Sequence, residues 1–371
     1  MTLLPSSTDV LVIGGGPAGL AAAIAARGRG FDVTLADCSV PPIDKACGEG
    51  IMPDGIAAAR ALGLQLDTDE AQPFRGIRFC EGHASVEAAF PKGRGFGLRR
   101  TALHRIMVDR ALEAGVRLVW GVRVTGLGAE GVFAGGRLVR ARWIVGADGG
   151  HSPVRRWAGL EVSHRHSRRF GFRRHYRVAP WSEYMEIHWA DGCQLYITPV
   201  GPGEICLVLI SSDPHLRLEE ALPCFPGVAG RIRQVAPAGP ERGGMSASRR
   251  LKSVCRGRVA LVGDASGSVD AITGEGLCLL FQQSVALAAA MEAGDLALYQ
   301  AAHRRLGRRP EFMADFLLLL DGRGRLRRRA IRALASNPRL FARMLAMHVG
   351  ECSSFDFFTS GMALGWQMLT I

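Results

Sequence analysis

Residues 263–276, Gly-Asp-Ala-Ser-Gly-Ser-Val-Asp-Ala-Ile-Thr-Gly-Glu-Gly, set carboxylates among glycines. Asp264 follows the apolar run Val259–Val262, where an unpaired carboxylate is costly. Such a group either accepts hydrogen bonds from a ligand's hydroxyls or caps a helix. A second glycine cluster, Gly14-Gly-Gly16-Pro17-Ala18-Gly19, opens the chain. It sits between the apolar segment Asp9–Ile13 and an alanine-rich helical stretch, Leu20 to Arg27. A second apolar strand, Phe31 to Ala36, ends at Asp37, 18 residues after Gly19. Strand, glycines, helix and distal acid together are the dinucleotide-binding pattern. Gly14 allows the tight turn, Gly16 lets backbone approach a pyrophosphate, and Gly19 lets helix pack on strand. The helix start offers free N–H groups and the positive dipole end to phosphates, and Asp37 is placed for ribose hydroxyls.

Two further motifs follow apolar strands: Gly146-Ala-Asp148-Gly149 and Gly263-Asp264-Ala265. In this order and spacing the three motifs resemble the FAD-dependent monooxygenase and geranylgeranyl reductase superfamily, over roughly residues 5–290. An NAD-only dehydrogenase has no use for the second and third motifs. The resemblance implies FAD, with its ADP half on the first motif and its ribityl chain on Asp264. It also implies a helix from Gly274-Glu275-Gly276 aimed at the flavin ring, and Arg100 at the FAD phosphates. A helix N-terminus there supplies a positive field to a reduced, anionic flavin. Asp148-Gly149 matches a motif linked to both FAD and NAD(P)H, and Arg155 and Arg156 are candidate phosphate contacts. No second G-x-G-x-x-G exists, so NAD(P)H is expected as a transient co-substrate.

Cys47, in Lys45-Ala-Cys47-Gly48-Glu49-Gly50, carries two readings. The resemblance to geranylgeranyl reductases implies a contact at the flavin face, whereas free cysteine is also among the most buried residue types. Glu49 and Glu275 are the carboxylates that motif position puts near the ring, and either suits proton transfer. Cys47, Glu49 and Glu275 are therefore the candidate catalytic residues. His164, His175 and His188 read as core or surface histidines rather than bases.

These groups need an α/β framework. The short apolar strands 9–13, 31–36 and 143–147 and an amphipathic helix over 101–114 predict a Rossmann-type FAD-binding domain. The resemblance implies that this domain is interleaved, taking residues 1–72, 98–160 and 245–292. A substrate domain with a mixed or antiparallel sheet takes 73–97 and 161–244. Within it Tyr184–Trp189, Gln194–Thr198 and Glu204–Ile210 read as strands, with a hairpin turn at Pro199–Gly203. Residues 293–371 read as a helical C-terminal region broken at Asn337-Pro338 and Gly350.

The chain has 371 residues, 48% hydrophobic and 22% charged, as a folded globular protein should. Nine cysteines show no C-x-x-C pair and no metal-ligand spacing, so no metal is expected. With no signal-like start and no run near the ~20 apolar residues of a membrane helix, a cytoplasmic location is expected. The net charge of +12 comes from scattered arginines; Lys45, Lys92 and Lys252 are the lysines. Lacking interleaved aromatics, this basicity does not predict nucleic-acid binding. The apolar stretch Phe312–Leu320, the arginines 323–332 and the apolar tail 355–371 carry two readings. They pack back to close a substrate cavity, or they make a peripheral membrane contact. The expected partner otherwise is a small-molecule substrate.

The reaction is narrowed by departures from known patterns. After Gly263-Asp264-Ala265 the hydroxylases' Ala-His and Pro are replaced by Ser266, Gly267 and Ala271. Gly267, Val269, Thr273 and Glu275 match the geranylgeranyl reductases better. Their Tyr-x-Trp-x-Phe-Pro signature is reduced here to Leu195-Tyr-Ile-Thr-Pro199. The Trp-x-Trp-x-Ile-Pro signature of the flavin-dependent halogenases is absent. The first expectation is an NAD(P)H-dependent monooxygenase of a small aromatic or polyketide-like molecule. The second is a flavin reductase of an isoprenoid or other C=C bond, and the third a non-catalytic flavin-binding protein.

Overall fold

The computed structural model describes residues 4–161 and 163–351, with backbone alone for 163–166. The tail 355–371 and the side chain of His164 lie outside what is described.

Three sheets organise the chain. The first runs, in spatial order, Cys255–Arg256, Val259–Leu261, Arg137–Gly146, Ser7–Ile13, Val33–Asp37 and Arg117–Trp120, with an appended hairpin, Val124–Leu127 and Val132–Ala134. Its neighbours pair parallel except at the Cys255–Arg256 edge and in the hairpin. Parallel strands need cover on both faces, and Val10–Ile13 and Val33–Ala36 are fully buried accordingly. One face packs on α1 (Pro17–Arg27), α3 (Arg100–Glu113) and α7 (Gly276–Glu292), while α2 (Pro53–Arg60) packs on α7.

The second sheet runs Arg242–Leu251, Ser163–Tyr176, Glu204–Ser211, Cys193–Gly201, Tyr184–Ala190, Gly76–Glu81 and Ala84–Ala89. It is antiparallel except where Tyr184–Ala190 meets Gly76–Glu81, and so is mixed as expected. The strand Arg242–Leu251 bonds to Ser163–Tyr176 along its length, so the second sheet extends past the expected boundary at 245. A three-stranded sheet of Gly50–Ile51, Gly95–Gly97 and Gln72–Phe74 bridges the two. Short helices α4 (Pro153–Trp157), α5 (Leu218–Ala221) and α6 (Pro226–Ile232) fill the connections.

The C-terminal helices are α8 (Leu296–Asp321), α9 (Gly324–Ser336) and α10 (Pro338–His348), broken where Asn337-Pro338 requires. They pack back on the molecule, but chiefly over Gly76–Glu81, Ala84–Ala89 and α7. None of their described residues lines the central cavity, so the expected closure of that cavity is not what they do. No helix among the described residues is long and apolar enough to cross a membrane.

Candidate active site

The registers Ile13↔Ala36, Ile13↔Gly146 and Gly146↔Leu261 put four strand ends in one row. Everything that follows those ends therefore converges: Gly14–Gly19, Asp37, Asp148-Gly149 and Gly263-Asp264. This is the C-terminal edge where open α/β sheets bind ligands. A cavity of about 1160 Å³ lies there, lined by Gly14, Gly16, Pro17, Ala18, Asp37, Arg100, Asp148, Gly149, Gly263, Asp264, Gly274 and Gly276, and by the candidates Cys47, Glu49 and Glu275. Of the expected site residues Gly19 lies off the lining, as do the candidate phosphate contacts Arg155 and Arg156; a Cβ on Gly19 would collide with the Gly14 carbonyl oxygen, so it serves close packing.

The residues fit FAD. Gly14 sits at φ +113°, and a Cβ on it would clash with the Ala147 carbonyl. A Cβ on Gly16 meets nothing nearer than Arg100 Nη2 at 3.9 Å, so the room it would fill is ligand space beside a guanidinium. Gly276, the first residue of α7, has open space around it. Gly15 N donates to Asp37 Oδ2 at 2.5 Å and Ser39 N to Oδ1 at 2.7 Å, which orients the carboxylate at the end of its strand. A Cβ on Gly263 would come within 2.6 Å of Ala18 Cβ, so the first and third motifs touch. Asp264 is exposed to the open cavity, where no described side chain or backbone amide bonds its carboxylate and the charges of Arg100 and Lys45 attract it. An acceptor left unpaired in this way suits hydroxyl donors.

Glu49 is built differently. It is the one non-glycine residue at positive φ (60°) among those described, and it is almost wholly buried. Its carboxylate accepts from Arg100 N (2.9 Å), Arg173 Nη1 (2.7 Å) and His175 Nε2 (2.6 Å). Burial pushes its pKa up, but His175, Arg173 and the Arg100 amide outweigh it and hold the carboxyl below the usual range. Such a group anchors the loop between two sheets rather than trading protons. Thr198 Oγ1 donates to Gly48 O (2.7 Å) and fixes the same loop. Glu49, His175 and Cys206 bring three ligand-type atoms within 4.8 Å, a cluster invisible in sequence spacing. Arg173, also bonded to Asp44 at 2.9 Å, already supplies the positive charge there. Cys47 is half-buried on the cavity wall; burial raises its thiol pKa despite Arg100, so it rests as the thiol.

Glu275 precedes α7 and is 1% exposed. Arg309 Nη2 lies 3.3 Å from its Oε1 and binds Asp54 at 2.8 Å. His348 Nδ1 stands 4.0 Å from its Oε2, and neither atom has a hydrogen-bond partner among the described residues. Burial raises the carboxyl to about 8, with Arg309 opposing only in part. Burial likewise lowers His348 to about 4.

Two expectations need correction or addition. Arg155 does not reach a cofactor: it is buried and bonds Ala265 O (3.1 Å), Gly150 O (2.8 Å) and Glu161 (3.0 Å), tying the second motif to the third. Arg156 is exposed. His104, unremarked in the sequence, is fully buried with Nε2 2.8 Å from Gly15 O, and so braces the first glycine turn. Its place one helical turn after Arg100 was the available signal. His175 is buried on Glu49, and the partly exposed His188 bonds Glu186 at 2.9 Å, so each ring is tied to a neighbouring carboxylate.

The wall facing the motif loops comes from the second sheet. Ile77, Met185, Ile187, Val208 and Ile210 supply an apolar stretch of it, with Met52 and one phenol, Tyr196, while Arg168, Arg169, Arg242, Ser246 and Arg249 of the same sheet line the rest. The Tyr196 hydroxyl bonds Ile272 O (2.8 Å) and Gln194 Oε1 (3.0 Å). Leu195 and Ile197 point to the opposite face, into the cluster with Leu218, Val228 and Ile232.

Comparison with known proteins agrees with this geometry. Residues 7–191 match the FAD binding domain family. The chain is 28% identical over 330 residues to the menaquinone reductase of Mycobacterium tuberculosis (strain H37Rv), covering 78% of each protein. It is 26% identical over 342 residues to digeranylgeranylglycerophospholipid reductase 1 of Methanothermobacter thermautotrophicus, covering 83% of this chain and 82% of that one. A flavoprotein/dehydrogenase from Cytophaga hutchinsonii has the same fold, with a TM-score of 0.83 at 17% identity over 98% of both chains. With three motifs on one sheet edge, a cradle that fits FAD and these likenesses, the chain is an FAD-dependent oxidoreductase of the monooxygenase and geranylgeranyl reductase superfamily.

Proposed function

We propose that the protein is a flavin-dependent reductase of a lipophilic substrate, saturating a C=C bond in a prenyl-type chain. The observation that carries this reading is the aliphatic and thioether wall of Ile77, Met185, Ile187, Val208 and Ile210. Its one phenol, Tyr196, spends its hydroxyl within the protein. This apolar stretch presents no free polar group of its own to orient an aromatic ring, so an aliphatic chain finds its best surface there. Methionines let such a wall adapt to an irregular aliphatic ligand. The names of the relatives, a menaquinone reductase and a digeranylgeranylglycerophospholipid reductase, point the same way. This reverses the order of the two reactions expected from sequence.

FAD, when bound, supplies the hydride. Gly16, Arg100, Asp37 and Asp264 would hold it, with the start of α7 at its ring. NAD(P)H is the proposed transient reductant. Saturation also needs a proton, and Glu275 holds one at its carboxyl at neutral pH because burial raises it to about 8. Glu49 keeps Cys47 and Gly48 in place, and the aliphatic wall excludes water from the reacting bond.

The test is single turnover without oxygen. Enzyme reduced by NADH or NADPH and mixed anaerobically with menaquinone or a geranylgeranyl lipid should reoxidise its flavin and give a product heavier by two hydrogens. Turnover that requires O₂ and adds one oxygen atom would instead make the protein a monooxygenase.

A further inference from the structure

The exposed residues of α9 and α10 are almost all arginine. Arg325, Arg328, Arg329 and Arg332 on α9 and Arg339 and Arg343 on α10 are exposed, beside only Ser336 and Pro338. No acidic residue occurs from Gly322 to Gly350. Among the described residues, one of the six makes an ion pair, Arg328 with the exposed Asp191 at 3.6 Å. The four on α9 fall at i, i+3, i+4 and i+7, which is one helical face. The opposite face, Ala330, Ile331, Ala333 and Leu334, is spent on the core. Like charges at i and i+4, as in Arg325/Arg329, Arg328/Arg332 and Arg339/Arg343, repel and weaken a helix. That cost is relieved when an anionic surface lies against them.

We propose that this arginine face docks the protein on an anionic lipid bilayer. The charges spread over two consecutive helices with no pocket between them, which suits a field of headgroups better than one compact anion. No exposed aromatic or amide side chain is interleaved with them to stack on or read bases. Leu319, 43% exposed at the end of α8, and half-buried Leu326 add a little apolar contact at the same end. Because α9 keeps its apolar face in the core, the docking is electrostatic and shallow, and so salt-sensitive. The choice of a bilayer as occupant rests on the lipophilic substrate proposed above, whereas the arginine face itself does not.

The test is cosedimentation of the full FAD-loaded protein with vesicles of phosphatidylcholine, with and without phosphatidylglycerol. Binding is expected only with phosphatidylglycerol and is lost in high salt. Arg325→Gln, Arg329→Gln and Arg332→Gln together should weaken it about 100-fold, at roughly fivefold per arginine. The corresponding triple Lys variant should bind nearly as wild type, and unchanged flavin absorbance and melting in both variants show that folding is intact. No binding, equal binding to neutral vesicles, or binding indifferent to the triple Gln variant overturns the proposal. Tighter binding to duplex DNA than to vesicles at one salt overturns it in favour of nucleic acid. The anaerobic turnover assay in detergent reports separately, so a failed reductase reading leaves the vesicle result standing.

Discussion

Two glutamates, Glu49 and Glu275, flank the same cavity, both nearly inaccessible to solvent and both beside arginine, yet they hold opposite charge states. Glu49 has three donors on its two oxygens and stays ionised. Glu275 has one arginine at 3.3 Å, which it shares with Asp54, and an unpartnered second oxygen. The number of donors, not the presence of a cation, decides which buried carboxyl keeps its proton. The site thereby gains a rigid ionic anchor at one end and a neutral acid at the other, a division of labour that suits proton delivery.

The largest expected effect breaks the anchor. Glu49→Gln strands Arg173 without its buried anion, and should cost about 3–5 kcal/mol in urea unfolding at pH 7. A loss under about 1 kcal/mol would mean that Arg173 is satisfied by Asp44 alone. Next comes the pH dependence of the neutral acid. Glu275 binds its proton more tightly folded than unfolded, so its contribution is present at low pH and lost as pH rises toward 8. His348 and His303, both lowered to about 4, act oppositely: the unfolded chain binds their protons up to about pH 6.5, so stability climbs with pH across that range. Wild-type stability should therefore rise to about pH 6.5 and then fall toward pH 8, by at most about 1.4 kcal/mol per pH unit. Glu275→Gln should abolish the fall, and a fall that persists assigns it elsewhere.

His348→Asn sharpens the lower limb: the climb below pH 6.5 should lose at most one proton's worth of slope, again about 1.4 kcal/mol per unit. The smallest effect is Glu275→Gln measured at about pH 4. There the carboxyl is largely protonated in the folded and unfolded chain alike, so unfolding should change by less than about 1 kcal/mol. The contrast with Glu49→Gln in the same assay is the direct measure of the two charge states.

Much of the cofactor side was legible because its determinants are local. Strand, Gly14–Gly19 and α1 adjoin in the chain, Asp37 ends the next strand, and Asp264 and α7 share one segment. The other side was not, because its partners come from far away. Arg173 and His175 reach Glu49 from a strand 124 and 126 residues on. Arg309 joins Asp54 across 255 residues. The wall was hidden for a different reason: Cys193–Gly201 is buried along its whole length. With the cavity-side cluster on one face and Leu218, Val228 and Ile232 on the other, its sequence shows no alternation to say which residues face the ligand. For the same reason Leu195-Tyr-Ile-Thr-Pro199 looked like a degraded aromatic wall, although only Tyr196 of its first three residues turns to the cavity.

The interleaving of the sheets has a consequence for synthesis on the ribosome. Arg137–Gly146 takes its outer parallel neighbour from Val259–Leu261, more than 100 residues later. At ordinary translation rates that strand waits roughly 5–20 s with one edge open. The covering helix α7 arrives later still. A nascent chain of this design carries an unpaired apolar edge for close to a third of its elongation, so chaperone demand should track synthesis of residues 147–292. Slowing translation after that stretch should matter far less than slowing it within.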